Sequence, residues 1–181
     1  AAILPQNGIT YTREQLSKTD FLLNKIFVVD SNTSMTEEEL DIHNLLDKDL
    51  SIDGWNQEQE YKILIYHTHA SEDFIDSRAG RQEDTIVGVG RYLKELLEKQ
   101  YHIPVYHDTT TYDVVDGVLD RSQAYEQAYV GVSEILKKYP SIEVVIDLHR
   151  DGVAEETKLV TEINGKPTAK IMFLNGVSRS N

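Results

Sequence analysis

An abrupt change from apolar to polar side chains occurs within Ile63-Leu64-Ile65-Tyr66-His67-Thr68-His69-Ala70-Ser71-Glu72-Asp73-Phe74. The apolar part is short and rich in β-branched residues, which is typical of a buried strand. Polar residues directly after such a strand favour a binding or catalytic site, because in open α/β sheets sites form outside the carboxyl ends of the strands. The segment therefore predicts a central strand that leads into a functional loop.

A second segment, Val144-Val145-Ile146-Asp147-Leu148-His149-Arg150-Asp151, also passes from an apolar run to histidine and acidic residues. Zn²⁺ accepts imidazole nitrogen and carboxylate oxygen, and catalytic zinc sites commonly use three protein ligands and a water. The His-x-x-Glu spacing of His69 and Glu72 offers two such ligands, and His149 supplies a third. The two strand ends together predict one zinc site. The alternative is that each histidine is an ordinary surface or hydrogen-bonded residue.

The residues beside these ligands allow further roles. Asp147 could orient an imidazole by accepting its hydrogen bond. Arg150 could hold a substrate carboxylate with two parallel hydrogen bonds, because a guanidinium is always charged and carries a planar fork of donors. His67 stays open among three interpretations: a structural neighbour, a replacement ligand, and an electrostatic stabiliser of the oxyanion.

The two histidine segments, 66–74 and 147–151, are similar to the two signature segments of the stage II sporulation protein P family. The resemblance continues through 86–93 and 105–108 and reaches upstream to 23–30, so it covers most of the chain. Two positions depart from the family pattern: Asp73, where Ser is frequent, and Thr85, where Asn is frequent.

The resemblance implies a zinc-dependent peptidoglycan hydrolase with N-acetylmuramoyl-L-alanine amidase and endopeptidase activity, acting on septal cell wall during engulfment in endospore formation. It implies an extracytoplasmic protein anchored by an N-terminal transmembrane segment, of which this chain would be a soluble portion. Peptidoglycan and the stage II sporulation proteins D and M are the implied partners. Because related cell-wall zinc amidases take a glutamate from just before the helix that follows, Glu83 is an alternative carboxylate ligand or catalytic residue to Glu72.

The resemblance also implies a general base, a glutamate on a strand near the C-terminus. No candidate glutamate follows the last predicted hairpin, so we expect a catalytic domain truncated at its C-terminus that binds zinc with little or no hydrolysis. Glu155 and Glu156 follow the second histidine segment, but a solvated pair of turn residues explains them more simply.

Length and composition restrict the number of domains, the class of partner and the kind of chemistry. The 181 residues predict a single domain, 1–181, with 1–60 as its N-terminal lead-in. The net charge of −13 argues against nucleic acid and against a basic membrane-binding face. The lack of cysteine excludes a disulfide framework and a thiol nucleophile, and no long apolar run predicts a membrane span. The alternative to an enzyme is a non-catalytic cell-wall-binding or complex-docking module.

The fold that we predict is a single α/β domain with a mostly parallel twisted sheet flanked by helices and a C-terminal hairpin. The resemblance implies the phosphorylase/hydrolase-like fold of zinc amidases.

His43 has no acidic or histidine cluster around it and is interpreted as a surface residue. His107 and Asp108 are interpreted as a polar strand end or as substrate contacts. The other predicted helices are one before residue 24 capped by Thr12, one at 84–100, and one at 121–139 with Tyr125 on its inner side. The other predicted strands are at 26–29 and 103–106, with a turn at 53–56. The predicted hairpin has its turn at Asn164-Gly165 and its flanking runs at 158–163 and 169–174.

Overall fold

The computed structural model describes residues 10–29, 35–49, 51–52, 60–154 and 156–174. The chain groups into two compact units, one made of Ala1–Leu50 and Val153–Asn181 and the other of Ser51–Gly152. The helices and strands of the described residues are, in chain order, α1 (Arg13–Leu16), α2 (Thr19–Lys25), α3 (Glu37–Leu40), α4 (Ile42–Asp47), β1 (Ile63–Tyr66), α5 (Ile86–Tyr101), β2 (Val105–His107), β3 (Val114–Val115), β4 (Val118–Leu119), α6 (Ala124–Lys138), β5 (Val144–Asp147), β6 (Val160–Ile163) and β7 (Lys166–Ala169).

The sheet of the Ser51–Gly152 unit has three parallel strands in the order β2-β1-β5. The prediction of a central strand at β1 with parallel neighbours is therefore confirmed. Each crossover contains a helix, α5 between β1 and β2 and α6 between β2 and β5, as parallel pairing requires. The sheet is packed by an apolar core that includes Ile63, Ile65, Val105, Leu93, Leu97 and Val144.

The helix α5 begins two residues after the predicted start at residue 84, because a short 3₁₀ turn, Gln82–Asp84, precedes it. Thr85 caps α5, accepting a hydrogen bond on its hydroxyl from the Val87 N–H at 3.3 Å. Threonine at position 85, where the resembled family frequently has asparagine, is therefore also able to cap the helix. Ile86 and Val87 are buried behind the cap and contact Ala70 and Leu148 of the two histidine segments.

Two predictions in the N-terminal part need correction. Thr12 does cap a helix and forms a capping box with Gln15, but the predicted single helix is two, α1 and α2, because Lys18 between them is extended. The strand expected at 26–29 does not form. The Phe27 N–H instead closes the end of α2 on the Leu22 carbonyl at 2.8 Å, and Val28 is 88% exposed. The turn predicted at 53–56 lies outside the described residues.

The hairpin predicted at Asn164-Gly165 is confirmed, since β6 and β7 pair antiparallel around it. Both turn residues have positive φ, 54° and 75°, which fits a two-residue type I′ turn. Such a turn pairs Ile163 directly with Lys166, so the second strand is Lys166–Ala169 and not the later apolar run at 169–174.

A second hairpin, β3–β4, was not predicted. Its turn is Asp116-Gly117, again with positive φ at both residues, 51° and 80°. An Asp-Gly dipeptide between valines is the signal that would have revealed it.

Among the described residues, none of the helices combines the length and the apolar character that a membrane span needs.

Candidate metal centre

The site lies at the edge of the sheet where the three parallel strands end. In the register of the sheet, Ile65 lies beside His107 and Tyr66 lies beside Asp147. The chain leaves β1 at His67 and leaves β5 at Leu148, so the polar residues of both histidine segments meet at this edge. The parallel register is thus the reason that two distant segments build one site.

His69 and Glu72 are brought together by a tight turn. The Glu72 N–H donates to the His69 carbonyl at 3.1 Å, and the Glu72 carbonyl accepts from the Ile86 N–H at 2.9 Å. The second bond attaches the turn to the first residue of α5. The His-x-x-Glu spacing therefore corresponds to one turn of backbone that holds both side chains on the loop after β1.

His149 reaches the same place from β5. The Leu148 N–H donates to the Tyr66 carbonyl at 2.9 Å and extends the β1–β5 pairing past the last strand residue. The imidazole of His149 then lies edge to face against that of His69, with ring centroids 5.3 Å apart. Its Nδ1 is 3.7 Å from Oε1 of Glu72. The structure thus brings the three predicted zinc ligands together.

Asp147 fixes which nitrogen of His149 is free. Its Oδ2 lies 3.0 Å from Nε2 of His149, and the same carboxylate accepts from the Thr68 N–H at 2.9 Å and the Thr68 hydroxyl at 2.5 Å. Because an ionised carboxylate only accepts, Nε2 of His149 must carry the proton, which leaves the lone pair of a neutral ring on Nδ1 beside Glu72. The proposed role of Asp147 in orienting an imidazole agrees with these contacts.

The two partners shift each other's pKa in opposite directions. The hydrogen bond to Asp147 raises the pKa of His149, and the negative charges of Asp147 and Glu72 add to this effect. Burial alone would raise the pKa of Asp147, but the hydrogen bonds from His149 and Thr68 outweigh it and lower that pKa. Asp147 is therefore an anionic acceptor at neutral pH.

Glu72 is buried at 8% exposure, and each of its carboxylate oxygens has a distinct neighbour. Oε1 faces His149, and Oε2 accepts from the Arg150 backbone N–H at 2.6 Å. The Arg150 guanidinium donates from Nε to the Asp73 carbonyl at 2.8 Å, and its side chain is 38% exposed. Arg150 therefore orients Glu72 through its backbone and keeps part of its guanidinium at the surface.

Two imidazoles and a carboxylate are the kind of donor set that zinc accepts. Nδ1 of His69 is buried and has no hydrogen-bond partner among the described residues, which is unusual for a buried ring nitrogen. Zinc–nitrogen and zinc–oxygen bonds of normal length would place two tetrahedral ligand atoms about 3.3 Å apart, close to the 3.7 Å between His149 and Glu72. Within the described part of the chain, no three histidine or carboxylate side chains already form a complete metal-holding group.

His67 is fully buried, and both of its ring nitrogens have partners other than the predicted ligands. Its Nδ1 bonds the Leu148 carbonyl at 2.9 Å, and its Nε2 bonds Nε2 of His107 at 2.9 Å. The carbonyl can only accept, so Nδ1 of His67 carries the proton and His107 donates to Nε2. Burial lowers the pKa of His67. Of the three interpretations of His67, the structural neighbour is the one that these contacts support.

His107 and Asp108 are also engaged in internal contacts. Burial, followed by the neighbouring His67, lowers the pKa of His107 to about 4. Asp108 is buried and accepts from the hydroxyls of Tyr112 at 2.5 Å and Thr110 at 2.7 Å. These contacts favour the interpretation as a polar strand end.

Glu83 lies in the 3₁₀ turn before α5, as the alternative ligand assignment requires. Its carboxylate pairs with Arg81 at 3.1 Å at the protein surface. Among the described residues it forms no hydrogen bond or ion pair with His69 or His149. The structure therefore brings Glu72 to the two histidines and leaves Glu83 with a surface partner.

Tyr125 was predicted on the inner side of α6 and is instead 64% exposed. Ala124 and Ala128 are the buried residues of this helix, so Tyr125, one position after Ala124, is turned away from the core. Its ring lies edge to face against His69, with centroids 5.4 Å apart. Sequence reasoning thus missed an exposed aromatic ring that contacts a predicted ligand.

Comparison with known proteins bears directly on this chain. The stage II sporulation protein P (SpoIIP) family matches residues 10–181. No curated protein and no solved structure matches the chain. The match spans nearly the whole chain, including both histidine segments and the helix between them, and it confirms the resemblance drawn from those segments. The chain therefore belongs to the stage II sporulation protein P family and is a sporulation protein.

Proposed function

We propose that this protein is a zinc-dependent peptidoglycan hydrolase, with N-acetylmuramoyl-L-alanine amidase and endopeptidase activity on septal cell wall during engulfment. The observation that carries the proposal is the buried, unpartnered Nδ1 of His69, whose ring packs against His149, which in turn lies beside Glu72. Membership in a family of sporulation proteins supports the setting. The proposed location is extracytoplasmic, at the sporulation septum.

The proposed ligands are His69, Glu72 and His149. Asp147 presents the Nδ1 lone pair of His149 to the site by accepting a hydrogen bond from its Nε2–H. The Arg150 N–H holds one oxygen of Glu72, which leaves the other directed at His149. These three side chains would hold a zinc ion, which would supply Lewis-acid chemistry for the scissile amide and lower the pKa of a bound water.

Substrate binding is the proposed role of the Arg150 guanidinium. Its Nη2 makes only a long contact of 3.8 Å with the Asp73 carboxylate, which is itself 68% exposed. A carboxylate of a peptidoglycan stem peptide can take the place of Asp73 and accept two parallel hydrogen bonds. Replacing Arg150 by Lys keeps the charge but removes this planar fork, so it should raise KM for wall substrates more than it lowers kcat.

Metal content is the first test. Purified protein should bind close to one zinc, and His69→Ala or His149→Ala should abolish binding. His43→Ala is the matched control, since His43 is exposed on α4. Stoichiometric zinc in a protein that lacks both His69 and His149 would refute the site.

Hydrolysis is the second test. The release of stem peptides from purified wall sacculi by the full-length protein should be lost in His69→Ala and His149→Ala and retained in His43→Ala. Binding to sacculi without zinc and without release of peptides would instead favour the non-catalytic wall-binding module. Separating soluble from sedimented material in the same reactions measures both outcomes.

A further inference from the structure

The loop after β1 is held from both sides by aspartates that lie elsewhere in the chain. Thr68 directly precedes His69, and both its N–H and its hydroxyl donate to Asp147. Ser71 directly precedes Glu72, and both its N–H, at 3.2 Å, and its hydroxyl donate to Oδ2 of Asp113. Each predicted ligand on this loop thus follows a residue that is bound twice by one carboxylate.

Asp113 is more deeply buried than any of the predicted ligands, with 0% exposure. It directly precedes β3, and its carbonyl accepts from the Asp120 N–H at 2.9 Å, just beyond β4. This bond fixes the backbone of Asp113 to the hairpin. A buried carboxylate is costly unless it is hydrogen-bonded, and its bonds from Ser71 offset part of that cost.

Among the described residues, the carboxylate of Asp113 accepts its hydrogen bonds from Ser71. Its Oδ1 is buried and has no hydrogen-bond partner among the described residues, whereas Oδ2 receives both bonds from Ser71. Nη2 of Arg121, 3.5 Å from the Ser71 hydroxyl, brings a positive charge to the same place. The hairpin, Asp113 and Ser71 therefore form one continuous connection to the loop that carries His69 and Glu72.

We propose that Asp113 is a positioning residue, which holds Ser71 and thereby fixes Glu72 relative to His69. Asp147 binds Thr68 and Asp113 binds Ser71, so the loop is held at the residue that precedes each of its predicted ligands. Without Asp113, the far side of the loop keeps only the bonds of Glu72 itself to Ile86 and Arg150, and Glu72 gains freedom relative to the histidines. Groups that orient metal ligands in this way act through preorganisation. The metal part of this inference rests on the proposed zinc site.

The hold on the loop is tested without metal, by amide hydrogen exchange. Asp113→Ala should accelerate exchange at the Ser71 amide and across 69–72, and Ser71→Ala, which removes only a hydroxyl, should do so to a smaller extent. Asp120→Ala is the matched control, because it keeps the backbone N–H that binds Asp113 and removes only a carboxylate that binds the N–H and hydroxyl of one serine, Ser122, at 2.9 and 2.6 Å. Unchanged exchange of 69–72 in both Asp113→Ala and Ser71→Ala overturns the proposal.

The positioning of the ligands is tested by zinc affinity and by the visible spectrum of the cobalt-substituted protein. Asp113→Ala should weaken zinc binding by about 10–100-fold and alter the cobalt spectrum, which reports ligand geometry. Asp113→Asn should stay close to the unaltered protein, because its amide oxygen can accept both bonds from Ser71. Asp120→Ala should change neither measurement.

The outcomes separate the two proposals. Unaltered zinc affinity and an unaltered cobalt spectrum in Asp113→Ala, in a protein that does bind zinc, overturn the positioning role and leave the zinc site intact. Failure of the unaltered protein to bind zinc overturns the proposed function. In that case the exchange measurement alone decides whether Asp113 holds the loop.

Discussion

Replacing Gly90 by Ala should destabilise the protein, although alanine is the better helix former. Gly90 is buried in α5, behind the pair formed by His67 and His107. A Cβ at this position would lie 2.7 Å from Nε2 of both histidines, which are themselves 2.9 Å apart. The glycine therefore makes room for the hydrogen bond that connects the ends of β1 and β2.

The magnitude follows from three opposing contributions. Helix propensity favours alanine over glycine by roughly 1 kcal/mol. Overpacking a core typically costs about 1–3 kcal/mol, and leaving a buried polar group without its partner costs about 1–3 kcal/mol more. The net expectation for Gly90→Ala is a loss of about 1–5 kcal/mol in the free energy of unfolding.

Urea denaturation of Gly90→Ala, alone and combined with His107→Ala, measures this effect and its source. The two substitutions should be less than additive, because removing the His107 ring relieves part of the clash. The pair Gln127→Ala and Gln127→Gly, at an exposed position of α6, gives the helix preference alone. If Gly90→Ala stabilises the protein by the amount that the Gln127 pair predicts, the close approach of the histidines to α5 is wrong.

Three further predictions concern the site and its support. Glu72→Gln should weaken zinc affinity, measured by titration calorimetry, while Glu83→Gln should not; the reverse result would make Glu83 the carboxylate ligand. Asp147→Asn should weaken zinc affinity by about 10–100-fold, since Thr68 and His149 donate to both carboxylate oxygens and an amide has only one acceptor oxygen; unchanged affinity would contradict that role. His107 has its pKa lowered to about 4 in the folded chain, against about 6.5 when unfolded. The unfolded state therefore takes up a proton that the folded state does not, and stability should fall as the pH drops from about 6.5 towards 4. Denaturation curves across that range should show a shallower fall for His107→Gln, and an unchanged slope relative to the parent protein would show that His107 is not kept neutral by folding.

The architecture of the sheet could be read from the sequence because its strands are short apolar runs with abrupt ends. β1 and β5 are runs of β-branched residues that stop at polar clusters, and the 3.6-residue pattern of α5 between β1 and β2 indicates a parallel crossover. The same patterns predicted that His69, Glu72 and His149 lie near one another, because residues at the carboxyl ends of adjacent parallel strands are close in space. Local pattern and long-range position are coupled here by the geometry of the sheet.

Other parts depend on contacts that no local pattern encodes. The segment 26–29 has the composition of a strand but pairs with no strand among the described residues, and hydrogen bonds to Leu22 end α2 there instead. Tyr125 belongs to an apparent apolar stripe, but the small side chains of Ala124 and Ala128 take the buried positions. Asp113 lies 42 residues from Ser71 in sequence, and a lone aspartate before a hairpin carries no signal of its partner.

The order of residues in the second histidine segment has a structural reason that the register supplies. Asp147 lies beside Tyr66 in the β1–β5 pairing, so its carboxylate is level with the start of the loop and meets both donors of Thr68. His149, two residues further on, folds back onto the same carboxylate through Nε2. A slip of one residue in this register would turn Asp147 to the other face of the sheet. Thr68 and His149 would then lose their common acceptor together. The Asp-x-His spacing therefore couples the pairing of β1 with β5 to the orientation of a predicted metal ligand.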